Sequence, residues 1–290
     1  MRGFAEYIMS GRRQAATAAM LLGLIPIPPL NLLSASVLAL VSLRRGLHEG
    51  LMLLPWALLP AVLSWYISHD AGMLFMLVAL LPLAQVLRSG ESWPPVMLLA
   101  TGFGLAAQLS LPWQSAYVAQ TRELADELLT WLQAQDVPPL LPQGGELTAE
   151  LLGDALLSVY GFRLAGLSIA ALILARYWQA LLYNPGGFQA EFHALRPAPR
   201  LILALAILAL ASLAGAPGLR DWLYLLCLLP AFTGLAVLHA WVKDTGASKL
   251  WLALAYAVLL LALPLALPLL ALAGFADSVA DFRRRYKRSV

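Results

Sequence analysis

The stretch YNPGGFQAEFHALRPAPR, residues 183–200, lies between two long apolar parts of a chain that otherwise has little polar sequence. It brings together Glu191, His193, Arg196 and Arg200 with two adjacent glycines and three prolines. Glycine and proline at this density indicate a loop. We interpret the loop as the boundary between a first bundle of helices and an appended second set.

Composition identifies the class of protein. The chain is 61% hydrophobic and 12% charged, with a mean hydropathy of +0.76, which lies outside the range of soluble globular proteins. Open sheets would leave backbone groups unpaired in lipid, so helices are expected. We predict an all-α fold: a polytopic transmembrane helical bundle in the lipid bilayer of a bacterial cytoplasmic (inner) membrane. The net charge of +3 does not indicate nucleic acid, because basic residues lie at the ends of the apolar runs.

The apolar runs predict eight to nine hydrophobic segments. Prolines at positions 26, 28 and 29 break the first two, because proline cannot continue a regular helix. Both are shorter than a full span, so a hairpin or a partly re-entrant element is expected. The predicted segments are residues 14–25, 31–43, 50–68, 73–86, 94–111, 160–182, 201–214, 222–241 and 250–274, the last interrupted by Pro264 and Pro268.

These segments divide the chain into four parts. The order is a six-helix membrane core (1–183), a cytoplasmic loop (184–200), appended transmembrane helices (201–275) and a basic C-terminal tail (276–290). Residues 112–157 form an amphipathic extracytoplasmic helical insertion within the core, because their leucines share one helical face while most acidic residues lie off it. This insertion either lies on the membrane surface, capping the bundle, or is a plain linker.

Lysine and arginine set the expected orientation, because cytoplasmic loops carry an excess of both. They place the N-terminus and the 184–200 loop in the cytoplasm. Nine crossings would then put the basic tail on the opposite side of the membrane, which conflicts with the same rule. Either the run 250–274 turns at its prolines or the tail is exposed outside, so the side of the C-terminus stays open.

Candidate ligand-binding residues lie near the predicted outer ends of the spans. The alternative to a ligand site is that the polar turn is solvated and the aromatic residues anchor the chain at the membrane–water interface. Arg163 lies about one turn into a span, where charge is costly unless it is paired or faces water. It either pairs, with Asp154 as a possible partner, or extends to the interface. The candidates are His69, Asp70, Trp65, Trp113 and Arg163, with Tyr117 as a further stacking ring.

The 184–200 loop is a candidate for docking a partner. If residues 189–195 form a short helix, Phe188 and Phe192 would face the bilayer or the bundle. Glu191, His193 and Arg196 would then remain for water, lipid headgroups or a partner. The alternative is an ordinary basic loop.

Enzyme motifs do not appear in the sequence. The glycine pair at 186–187 lacks the spacing and the lysine of a phosphate loop, and the four histidines are scattered. We therefore expect no enzymatic activity, no cofactor and no metal site. Active transport would need an ion gradient or an ATPase partner.

Four stretches resemble the YybS-like family of bacterial integral membrane proteins, which has no established biochemical activity. They are RRGLHEGL at 44–51, GFQAEFHALRPAPR at 187–200, the proline-broken last apolar run and DFRRR at 281–285. Residues 14–183 also resemble the six-helix substrate-binding S component of energy-coupling-factor vitamin transporters. That resemblance implies a vitamin-like ligand and a docking face for an energising membrane partner at Ala15 and Ala19. The three further segments depart from the S-component pattern.

Two functional hypotheses follow. The first is a membrane protein that binds or transports a small molecule, vitamin-like or lipid-like, without an ATPase of its own. The second is a non-transporting scaffold that recruits a partner protein through the 184–200 loop and the basic tail.

Overall fold

The computed structural model describes residues 1–25, 27–90, 92–135, 147–216 and 219–283. All regular structure in these ranges is helical, which confirms the all-α prediction. Short 3₁₀ turns cover Leu111–Trp113 and Arg220–Trp222. The α-helices are α1 (Arg2–Ser10), α2 (Arg12–Leu24), α3 (Pro28–Arg45), α4 (Leu47–Ser68), α5 (Gly72–Gly90), α6 (Trp93–Leu109), α7 (Ser115–Ala134), α8 (Ala149–Ser158), α9 (Tyr160–Tyr183), α10 (Gly187–His193), α11 (Pro199–Leu213), α12 (Leu223–Thr245), α13 (Leu250–Leu261) and α14 (Leu263–Ala280).

Six helical stretches of the described chain are long and apolar enough to cross a membrane, so this is a multi-pass integral membrane protein. Two further apolar helices, α11 and α13, are shorter. The predicted eight to nine segments are therefore not all supported as full spans. The six are Leu47–Ser68, Gly72–Gly90, Trp93–Trp113, Ala149–Tyr183, Leu223–Thr245 and Leu263–Ala280.

The N-terminal break lies where the prolines predict it. Helix α2 has only 13 residues and ends at Leu24, and a proline occupies the first turn of α3, where its missing N–H costs nothing. Helix α1 is an addition to the prediction. It buries Ala5 and Ile8, and its Phe4 ring lies edge-on to Trp178 near the end of α9, with 5.6 Å between ring centroids.

Basic residues gather at one end of the bundle, which we call the basic end. Arg44 lies over the Tyr183 ring, 4.0 Å from its centroid. Arg88 donates to the carbonyl oxygen of Leu43 at 2.9 Å, and Arg12 pairs with Glu49. The ends of α3, α5 and α9 and the starts of α2 and α4 therefore meet there, as the distribution of arginine predicts.

Helices α12 and α14 pack in close contact. A Cβ added at Gly234 would overlap the carbonyl oxygen of Leu270, and one added at Gly274 would overlap that of Pro230. Each glycine therefore leaves room for a backbone carbonyl of the facing helix, Gly234 for that of Leu270 and Gly274 for that of Pro230. Small residues allow this close approach in tight membrane helix pairs.

The bounds of the last helices and the contacts of Arg283 correct the predicted last segment. The run 250–274 is two helices, α13 and α14, separated at Ala262, and α14 continues to Ala280. Arg283, just past α14, donates to the carbonyl oxygens of His193 and Leu195. The start of the basic tail therefore lies at the basic end beside the 184–200 loop, and the conflict with the orientation rule disappears.

One hydrophobic core runs through both predicted sets of helices. Leu225, Leu228 and Ala236 of α12 belong to the same buried cluster as Leu38 of α3 and Leu80 of α5. Helix α12 therefore shares the core of the first six helices, and a smaller cluster of Cys227, Ala231, Leu267 and Ala271 lies between α12 and α14. The insertion helices α7 and α8 pack on each other.

Replacing Gly274 by alanine is expected to lower the free energy of unfolding by about 1–3 kcal/mol, because the added methyl group must push α12 and α14 apart. Gly166→Ala in α9 is the matched control, since a Cβ there meets no atom within 4 Å. Thermal unfolding in detergent compares the two. Equal melting temperatures would contradict the described packing of α12 on α14.

Candidate functional site

A tight turn between α4 and α5 presents Asp70 at the end of the bundle opposite the basic end. His69 ends α4 in the left-handed conformation, with φ 54° and ψ 5°, and its N–H donates to the Trp65 carbonyl oxygen at 2.8 Å. The Asp70 Oδ1 atom then accepts from the N–H of Gly72 at 2.7 Å and so caps the start of α5. The turn therefore fixes this carboxylate toward α9.

Arg163 of α9 is the charge partner of Asp70. Its Nη2 atom donates to Asp70 Oδ2 at 2.9 Å. The predicted pairing option with Asp154 is wrong, because Asp154 lies 3.3 Å from Arg122 of α7 in an exposed pair. Since the side chain of Arg163 is 43% exposed, the pair faces the cleft described below and is not sealed in the core.

Tyrosine and glutamine side chains surround this ion pair. The Tyr160 hydroxyl lies 3.2 Å from both Asp70 Oδ1 and Gln114 Oε1, so its single proton can be donated to either. Arg163 also donates to the Tyr117 hydroxyl at 3.4 Å. Burial raises the pKa of Tyr117, so its phenol stays neutral near pH 7. The network holds one cation and one anion at fixed positions.

A cleft of about 180 Å³ opens beside the ion pair, between α3, α4, α5 and α9. Two residues of its lining have unused hydrogen-bonding capacity. The buried Oδ1 atom of Asn31 has no hydrogen-bond partner in the described structure. Arg163 makes its hydrogen bonds to described residues through Nη2 alone, so Nη1 and Nε are left to donate. We call this the polar cleft; its lining is Asn31, Leu32, Ser64, Ser68, Asp70, Gly72, Met73, Met76, Arg163, Leu164 and Leu167.

The polar cleft contains two of the five predicted ligand residues. Asp70 and Arg163 line it, whereas His69, Trp65 and Trp113 do not. Trp113 is 83% exposed, as expected of an interfacial anchor. These three side chains therefore contribute no surface to the cleft.

Sequence reasoning missed Asn31, Tyr160 and Gln114. A signal existed for Asn31, since it is an amide in an apolar run of the sequence, where a polar side chain is costly unless it is paired. No sequence signal pointed to Tyr160 or Gln114, because these residues come close to Asp70 only through the packing of α6, α7 and α9.

The predicted docking residues on α2 are buried within this chain. Ala15 is 2% exposed and Ala19 is fully buried, with its carbonyl oxygen accepting from the Ser34 hydroxyl at 2.7 Å. Their small side chains let α2 approach α3 closely. In this conformation neither alanine presents a surface to a partner.

The loop residues at the basic end are also engaged within the chain. Glu191 accepts from Arg176 Nε at 2.9 Å, and Arg196 lies 2.6 Å from Asp281. Glu191 and Arg196 are therefore paired within the chain, and their role in docking a partner stays a prediction. Phe192 is buried, and Phe188 stacks on it with 5.9 Å between ring centroids, so both face the bundle.

No protein-family model, curated protein or solved structure matches this chain. The resemblances to YybS-like proteins and to S components therefore stay predictions. What the chain does has to be inferred from its own side chains.

Proposed function

We propose that this protein binds, and moves across the bacterial cytoplasmic membrane, a small polar molecule that enters the polar cleft. The ligand carries an anionic group and a hydrogen-bond donor. No nucleotide is hydrolysed by the chain itself, so transport draws on an ion gradient or on an energising membrane partner.

The unpartnered Oδ1 atom of Asn31 carries this proposal. A buried acceptor without a donor costs about 1–3 kcal/mol, which a ligand N–H or O–H would recover. Arg163, in the same cleft, offers a planar guanidinium that can donate two parallel hydrogen bonds to a carboxylate or a phosphate. Met73 and Met76 add an adaptable apolar wall. Acceptor, cation and apolar wall together fit a small vitamin-like acid.

The positions of the charges support an orientation with the basic end in the cytoplasm. The N-terminal helices, the 184–200 loop and the start of the tail share that end. The polar cleft then opens toward the extracytoplasmic side, on the same side as the insertion helices α7 and α8. A ligand would be captured from outside the cell.

The scaffold hypothesis has less support. Its best docking residues, Glu191 and Arg196, are paired with Arg176 and Asp281. A partner would have to displace these pairs or use the exposed residues around them.

A ligand screen by thermal unfolding tests the proposed function. Purified protein in detergent is heated with a library of small organic acids and vitamins, and a binder at 100 times its Kd is expected to add about 2.7 kcal/mol to stability. Asn31→Leu, which removes the unpartnered acceptor, is expected to abolish the shift for every hit. A library without hits, or hits that stabilise Asn31→Leu equally, would overturn the proposal.

Co-purification separates the two hypotheses. An ATPase module recovered with the protein supports transport, whereas another stoichiometric protein lost on charge reversal at the 184–200 loop supports a scaffold.

A further inference from the structure

A second cavity, far larger than the polar cleft, lies at the basic end. It measures about 770 Å³, within the range of about 300–1,000 Å³ typical of small-molecule sites. Helices α9, α10, α12 and α13 enclose it, and it is partly open to the outside of the bundle. We call it the basic-end cavity.

The walls of this cavity are almost entirely hydrocarbon and aromatic. Ile173 and Leu174 of α9 face Phe232 and Leu235 of α12, and Phe188 of α10 closes one end. All but α10 are apolar helices of the membrane bundle, so the wall lies at the depth of lipid tails. A long flexible hydrocarbon chain matches such walls, because it gains contact without burying polar atoms.

Three polar residues of the lining lie close together. His239 and Tyr256 are joined by a 2.8 Å hydrogen bond, and the His193 ring lies 6.3 Å from that of His239, measured between centroids. Lys243 and Arg283 act on His193 electrostatically, in the opposite sense to Asp244. Burial, with Lys243, lowers the pKa of His193, so an acceptor on a ligand meets a neutral ring beside cations.

We infer that the basic-end cavity binds an anionic amphiphile: its hydrocarbon chain lies between α9 and α12, and its head lies at His193, His239 and Lys243. The bilayer supplies such molecules directly to the open side. The cavity and the polar cleft share no lining residue, so they are separate sites and this ligand goes beyond the function proposed above. The head can be the carboxylate of a fatty acid or the phosphate of a phospholipid.

Photo-crosslinking in nanodiscs tests this inference. Three diazirine probes are compared: a C16 fatty acid, phosphatidylglycerol and the zwitterionic phosphatidylcholine. We expect the anionic probes to label residues 170–189 and 232–239 at least fivefold more than phosphatidylcholine does. Labelling by the fatty acid alone assigns a single-chain ligand, and labelling by phosphatidylglycerol assigns a phospholipid.

Three variants make the result specific. Ala170→Phe with Ala180→Phe fills the cavity and is expected to reduce labelling at least fivefold, whereas Ala204→Phe, at an exposed position of α11, leaves it unchanged. Lys243→Glu, at an exposed position, keeps the cavity and is expected to remove the preference for anionic probes. Equal labelling by all three probes, or labelling unaffected by both the filling and the charge variants, would overturn the inference. Neither result depends on ligands of the polar cleft.

Discussion

Replacing Arg283 by methionine is expected to lower the free energy of unfolding by about 3–5 kcal/mol, because it leaves a buried carboxylate without its counter-ion. Asp277 is fully buried, and its Oδ2 atom accepts from Arg283 Nε at 2.9 Å and from Nη2 at 2.7 Å. The same guanidinium donates to the carbonyl oxygens of His193 and Leu195. The variant therefore also releases the 184–200 loop from the end of α14.

Thermal unfolding in nanodiscs measures this loss, and Arg200→Met at an exposed position is the matched control. The double variant Asp277→Leu with Arg283→Met is expected to recover part of the stability, since it removes the unpaired charge. If Arg283→Met alone were as stable as Arg200→Met, the ion pair of Arg283 with Asp277 would not hold the tail in place.

Replacing Arg163 by glutamine is expected to weaken binding of the anionic ligand by about 10- to 150-fold, since hydrogen bonds to charged groups contribute about 1.5–3 kcal/mol. The fold should tolerate the change. The pair with Asp70 is partly exposed, and such pairs contribute about 0–1 kcal/mol. Asp70 also keeps the Gly72 N–H and the Tyr160 hydroxyl as donors.

Isothermal titration with a hit from the thermal screen gives the affinity. Arg122→Gln, which breaks an exposed pair with Asp154 outside the polar cleft, should bind normally. Arg163→Lys should bind the ligand with intermediate affinity, because lysine keeps the positive charge but lacks the planar guanidinium with its paired donors. Unchanged affinity in Arg163→Gln would remove this arginine from the site, whatever the effect on stability.

The helices and their breaks follow from local sequence. A proline lies in the first turn of α3 and another in the first turn of α14, where each new helix begins. Local rules did not give the direction of α14, since they do not state whether a proline bends a span or reverses the chain. The hydrogen bonds from Arg283 to the His193 and Leu195 carbonyl oxygens show where α14 ends.

The polar cleft was predictable only in part. Asp70 and Arg163 stand out as charges near membrane depth, but the pairing considered from sequence was with Asp154, only nine positions from Arg163 along the chain. The partner in the structure, Asp70, lies 93 positions from Arg163 along the chain. The left-handed backbone conformation of His69 orients Asp70 toward it. No periodic pattern records a contact between helices so distant in sequence. For the same reason Arg176 and Asp281 were not foreseen as partners of the loop.

Cysteine accessibility tests most directly whether the polar cleft is an aqueous site open at the end opposite the basic end. In a Cys227→Ala background, which removes the one native cysteine, Ser64→Cys lies in the cleft and Leu63→Cys is an exposed apolar neighbour outside its lining. A charged, membrane-impermeant maleimide applied to intact cells is predicted to label Ser64→Cys and not Leu63→Cys, with hits from the ligand screen slowing the reaction. An unreactive Ser64→Cys, or one labelled only after the cells are permeabilised, would contradict the account.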